Sequence, residues 1–158
     1  SIRSESGYLF EKLLRFNFIG PTSGQLIKKE CIDAVGGFDV LMESSQDYDL
    51  WLRLAMKYPI QYIDIPLLRC HIHSGKRIMT DDEKRIRGVE RILSKYAEYF
   101  NADRNACYSR GIILMPHYLN VFGRKKALAL WFSCVKKCPE KISYNFKLLA
   151  TIIIGHEQ

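Results

Sequence analysis

The strongest constraint on how this chain folds is a change of patterning near residue 78. Before that point short apolar runs are broken by Gly and Pro, as at Asn17–Pro21, Gly36-Gly37 and Tyr58-Pro59. After it, apolar residues recur at helical spacing over long stretches, with breaks only at Gly123 and Pro139. The pattern predicts an α/β first part over residues 1–78 and a helical region over 79–158, so that the whole is predominantly helical. A chain of 158 residues can enclose a core of ordinary domain size. With 47% hydrophobic and 12% aromatic residues it buries enough surface to offset its ordering entropy, which excludes a disordered segment.

Local signals divide the first part further. Leu9, Leu13, Leu14 and Phe16 predict a short helix that stops at the Asn17–Pro21 break. Thr22–Lys28 reads as a strand, mainly from its boundaries, because its alternation is weak. A short helix over Lys29–Val35 ends at Gly36-Gly37, a pair suited to a C-cap and tight turn. Ser44 or Ser45 is the expected N-cap of a helix that carries Asp47 and Asp49 in its first turn. Leu50, Trp51, Leu54 and Ala55 form its apolar stripe, and it ends near Tyr58 before Pro59. Ile60–Leu68 predicts a second strand, with Pro66 placing it at an edge or at its end. In the second part, Thr80 or Asp81 caps a long helix to about Phe100. Further helices are expected over 104–121, 125–137 and 140–153, with Pro116 kinking or shortening the first of these.

Composition limits the functional classes. No stretch reaches the roughly 20 apolar residues that span a bilayer. The opening Ser-Ile-Arg-Ser-Glu-Ser has no apolar core of a signal peptide, and without an initiator Met it predicts a piece of a longer protein. Five scattered cysteines without a CxxC pair fit neither a disulfide framework nor a zinc knuckle, and predict reduced, packed thiols and a cytoplasmic setting. The net charge of +7 favours phosphate-bearing ligands, anionic lipid or nucleic acid without choosing among them. No recognition helix, zinc spacing or aromatic-basic RNA-binding pattern accompanies it, which argues against nucleic acid.

Two segments carry chemistry. One is Val35-Gly36-Gly37-Phe38-Asp39 followed by Ser45-Gln46-Asp47-Tyr48-Asp49-Leu50-Trp51-Leu52-Arg53-Leu54. The other is Ile63-Asp64-Ile65-Pro66-Leu67-Leu68-Arg69-Cys70-His71. The first sets a flexible turn before a helix N-terminus that bears two carboxylates. The helix dipole and free amides keep such a carboxylate ionised, and it can take a proton from a hydroxyl within reach. The same two residues can equally serve as helix caps.

At these spacings the chain resembles family 2 glycosyltransferases of the GT-A fold over roughly residues 8–75, in their later, acceptor-side part. The resemblance implies partial GT-A sheet elements in the first part and a variable helical extension after it. It implies an inverting transfer from a nucleotide-sugar donor to a hydroxyl of a glycan or lipid-linked acceptor. Asp47 then matches the general base that deprotonates the acceptor. Gln46 stands where the family usually has Glu, which removes a neighbouring negative charge. Gly36, Gly37, Phe38 and Asp39 match the turn lining the acceptor pocket. Trp51 is either a sugar-stacking platform or a core residue of its helix stripe. Arg69 is a candidate for diphosphate charge, and His71 for a metal, with His73 competing and Leu68 in place of the usual Tyr. Asp49 and Arg53 are expected to pair by their i,i+4 spacing.

The family's donor half supplies a DxD carboxylate pair for Mg²⁺ or Mn²⁺, and no such pair precedes Asn17. The expectation is therefore a chain that is inactive alone and belongs to an active, metal-dependent enzyme. That enzyme is expected in the cytoplasm, with peripheral contact to the inner face of the membrane through the basic helices and Leu148–Ile154. An apolar face left without its sheet predicts homodimers or strand pairing. The competing reading is a non-enzymatic helical protein-interaction module built on residues 79–158.

Overall fold

Helical periodicity becomes helix in both parts, while neither expected strand forms among the described residues. The computed structural model describes residues 5–20, 22–66, 69, 81–141, 149–150 and 153, and the chain divides into two compact units, Ser1–Ile78 and Met79–Gln158.

The first unit is built on α1 (Phe10–Arg15), α2 (Lys29–Ala34) and α3 (Gln46–Lys57). Leu13 and Leu14 of α1 pack on α3, whose Leu50, Trp51, Leu52, Leu54 and Ala55 are all buried. Leu13, Leu50 and Leu52 are fully enclosed, each contributing about 1.5–3 kcal/mol of apolar burial. Two polar groups fix the register of this packing. The Tyr48 hydroxyl donates to the Leu13 carbonyl at 2.7 Å, and the Trp51 indole N–H donates to the Gly20 carbonyl at 3.0 Å. Helix α2 ends as its glycines predict. Gly36 and Gly37 take φ of 81° and 67°, and their N–H groups return to the Asp33 and Ile32 carbonyls.

The sheet elements expected in this unit are corrected by the structure. Thr22–Gly24 is a 3-10 turn, closed by the Gln25 N–H on the Thr22 carbonyl, and residues 25–28 continue without ladder partners. Residues 60–66 make a single antiparallel bridge, Gly7 to Ile60, and no strand. A strand is stabilised by a paired neighbour and not by its own alternation. Among the described residues no second strand lies beside either segment. Leu67 and Leu68 fall outside the described residues.

The second unit holds α4 (Asp82–Lys95), α5 (Ala97–Ala102) and α6 (Arg104–Lys137). Asp81 caps α4 by accepting from the Lys84 N–H, and Asp103 caps α6 by accepting from the Asn105 and Ala106 N–H groups. The single long helix expected to Phe100 is broken at Tyr96, where the chain turns and both Tyr96 and Phe100 become buried. Helix α6 is interrupted at Gly123, with φ 77° and ψ 179°, a region that only glycine occupies at low cost. Its two arms fold back on each other. Arg104 meets Cys138, Cys107 meets Lys137, and Gly111 faces Cys134. Tyr108, Met115, Ala127, Trp131, Cys134 and Cys138 fill the seam of this αα-hairpin. Ile86 and Val89 of α4 pack on Leu114 of the first arm.

Pro116 does not end the first arm early, and the helix continues through it. Its neighbours Leu114 and Met115 are 2% and 0% exposed, and their burial holds the helical path across the lost bond. The helix expected over 140–153 falls mostly outside the described residues.

Candidate functional site

Asp47 and Asp49 share the first turn of α3 but have opposite surroundings. Two residues along a helix rotate a side chain by about 200°, so one carboxylate is turned outward when the other is turned in. Asp49 is fully buried. Its Oδ2 accepts from Arg53 Nε at 2.9 Å, and Arg53 Nη2 lies 2.8 Å from the same oxygen. Asp47 is half-buried. Its Oδ1 accepts from the Tyr48 N–H at 2.7 Å, satisfying one of the amide donors that a helix start leaves open. Asp47 therefore caps the helix with one oxygen, and the other oxygen has no partner among the described residues.

The helix start differs in one respect from its sequence reading. Ser45 occupies the N-cap position, but with φ 63° and no side-chain capping bond. A left-handed serine is strained by the clash of its Cβ with the following carbonyl. This conformation delivers Gln46, half-buried, and Asp47 into the first turn.

The glycine turn is fastened to the same helix, nearer its far end. Arg53 Nη1 donates to the Val35 carbonyl at 2.6 Å and Lys57 Nζ to the Ala34 carbonyl at 2.9 Å. These cations occupy the C-terminus of α2, where carbonyls are unsatisfied and the dipole is negative. Asp49, Arg53 and Lys57 recur every four residues on one face. That spacing was the available sequence signal for Lys57, which the motif reading passed over. Six residues of helix, about 9 Å of rise, separate the level of Arg53 from Asp47.

Within the turn, Phe38 is 49% exposed. Asp39 accepts from the Leu41 N–H through Oδ1 at 3.0 Å, closing a side-chain turn. Gly36 is exposed and Gly37 half-buried. Trp51 is 2% exposed, with its indole N–H engaged by Gly20, so its ring belongs to the packing between α3 and α1. Arg69 is exposed. His71, Leu68 and His73 fall outside the described residues. Tyr48 escaped the sequence reading because its role, tying the site helix to α1 across 35 residues, leaves no local signature.

The described residues do not fit a metal centre. No group of three His, Cys, Asp or Glu side chains comes together among them. The one DxD-like run, Asp47-Tyr48-Asp49, has its second carboxylate buried against Arg53.

No protein-family model matches the chain, and no solved structure gives a significant match. The chain is similar to a protein of Haemophilus influenzae described as an uncharacterized glycosyltransferase, with 30% identity over 134 residues. The similarity takes in 80% of this chain and 44% of that protein, so the chain spans less than half the length of the curated relative it matches.

Proposed function

We propose that this chain is the acceptor-side part of a sugar-nucleotide glycosyltransferase of the family 2, GT-A kind, with Asp47 as general base. The observation that carries the reading is the separation of the two carboxylates of α3. Asp49 is consumed by a buried ion pair, whereas Asp47 has one oxygen fixed by a backbone amide and the other open. The similarity to the Haemophilus influenzae glycosyltransferase supports the same class.

In this mechanism the open oxygen of Asp47 takes the proton of an acceptor hydroxyl. The hydroxyl oxygen attacks the anomeric carbon of the donor while the nucleoside diphosphate departs from the opposite face, inverting the configuration. The Tyr48 N–H holds the carboxylate in place. Gly36, Gly37, Phe38 and Asp39 wall the acceptor, and Gln46 lines the base without adding negative charge. Arg69 meets diphosphate. A divalent cation, Mg²⁺ or Mn²⁺, is assigned to the remainder of the whole enzyme, with the role of His71 left to that site. The acceptor is a glycan or lipid-linked glycan, reached from the cytoplasmic face of the membrane. Leu26 and Val40 are almost fully exposed in the first unit, which supports cover by further protein, in the same enzyme or in a second copy.

The test is sugar transfer by the whole enzyme carrying Asp47→Asn. Loss of a general base lowers kcat by about 10²–10⁴-fold, with KM for the donor little changed. Unaltered kcat removes Asp47 from the base role.

A further inference from the structure

The seam of the α6 hairpin gathers three thiols and an ammonium. On the first arm, Cys107 is half-buried and accepts from Lys137 Nζ, 2.8 Å from its sulfur. On the second arm, Cys134 and Cys138 are one helical turn apart, therefore on one face, and both are buried, 5% and 0% exposed. The facing positions locate Cys107 between them. Cys138 Sγ lies 3.4 Å from the Arg104 carbonyl. A helical carbonyl points toward the N–H four residues ahead, so that contact brings the Cys138 sulfur to the level of Cys107 and Tyr108. Cys134 Sγ sits against Gly111, where an added Cβ would come within 2.2 Å of it. The absence of a side chain at Gly111 is what lets the arms approach this closely. All three cysteines are free thiols.

We propose that Cys107 and Cys138 form a redox-controlled cross-link by exchange with small-molecule disulfides, closing the base of the αα-hairpin. The steps balance without any other reagent. The Cys107 thiolate attacks one sulfur of the small disulfide, whose own S–S bond breaks, and a small thiolate leaves and takes a proton from solvent. Cys138 then gives up its proton and attacks the Cys107 sulfur of this mixed disulfide. The Cys107–Cys138 bond forms and a second small thiol departs. The protein loses two hydrogens, and the disulfide is reduced to two thiols.

The three sulfurs have different parts. Cys107 attacks first because it alone of the three is partly exposed and so within reach of a small disulfide, with the Lys137 ammonium at its sulfur. Cys138 is the C-cap of α6, where the backbone can adjust to disulfide geometry. Cys134 is held in mid-helix over Gly111, and burial pushes its thiol up to about 11. Burial also raises the Cys138 thiol, so the second step is the slower one and the mixed disulfide precedes the cross-link.

The experiment incubates the folded 158-residue chain with oxidised glutathione, quenches with acid at intervals, alkylates and maps peptides by mass spectrometry. A transient glutathione adduct at Cys107 is expected, followed by a Cys107–Cys138 peptide with a loss of two hydrogens. Cys138→Ser should stop at the Cys107 adduct, Cys134→Ser should cross-link normally, and Lys137→Met should slow the first step several-fold. Circular dichroism of each variant checks that the helices are kept. A first adduct at another cysteine, a Cys107–Cys134 link, or a wild-type adduct that never resolves would each overturn the proposal.

Discussion

Asp49 and Arg53 form a buried ion pair within α3, and the same guanidinium holds the Val35 carbonyl at the end of α2. One residue pair thus ties the site helix to the end of α2, just before the Gly36-Gly37 turn. Asp49 is fully enclosed and the Arg53 side chain is 17% exposed. Removing the carboxylate leaves a largely buried cation without its counter-ion. Asp49→Ala is expected to destabilise the first unit by about 3 kcal/mol or more. The double variant Asp49→Ala, Arg53→Met should cost clearly less than the two single changes added together, since no charge is then stranded. Urea unfolding of the four proteins measures this, and simple additivity would contradict it.

Gly111 and Cys134 make a second testable pair. An alanine at 111 puts its Cβ 2.2 Å from the Cys134 sulfur, so the hairpin arms must separate or Cys134 must leave its rotamer. Overpacking of this kind costs about 1–3 kcal/mol. Cys134→Ala removes the sulfur that clashes, and adding it to Gly111→Ala should restore much of the loss. The coupling energy from thermal melts reads the contact directly.

Gly123 tests backbone alone. An added Cβ there meets nothing within 4 Å, yet φ 77° with ψ 179° is a conformation that other residues avoid. Gly123→Ala should lower stability by about 1–3 kcal/mol without a steric cause. The loss should appear in the denaturation midpoint, while the helix content of the folded protein stays unchanged.

Acid should loosen the second unit through Asp82. Burial by itself would raise this carboxyl, but hydrogen bonds from His117 and Asn120, with further support from the charges of His117 and Arg85, hold it below its ordinary value of 3.8. His117 Nδ1 lies 2.6 Å from one carboxylate oxygen and Asn120 Nδ2 2.7 Å from the other, joining α4 to α6. A depressed folded pKa means that the unfolded chain binds the proton first. The stabilisation is therefore complete above the unfolded value of about 3.9 and is lost as pH falls through the lower folded value. Stability measured from pH 7 downward should fall below about pH 4, and Asp82→Asn should flatten that limb. An identical acid limb in the variant would remove Asp82 from this role.

Much of the helical framework was legible because its signals are local. The stripe from Leu50 to Ala55, the cap at Asp81, the Gly36-Gly37 stop and the Gly123 break all depend on residues within a turn or two of each other. The Asp49–Arg53 pairing followed from i,i+4 spacing in the same way. The expected strands at 22–28 and 60–68 could not be decided from alternation, because a ladder depends on a neighbour that the segment itself does not specify. Pro116 did not end its helix for a related reason, since its local penalty is offset by the burial of Leu114 and Met115.

The two carboxylates of α3 mark the same boundary. The sequence by itself determined that Asp47 and Asp49 begin a helix and project on different sides of it, because helical rotation is fixed by residue number. Only the tertiary structure decided which one is spent. Packing of α3 against α1, through Tyr48 on Leu13 and Trp51 on Gly20, turns Asp49 inward to Arg53 and leaves Asp47 at the surface. Those contacts join residues more than 30 positions apart, and burial is a property of that arrangement, not of any local pattern.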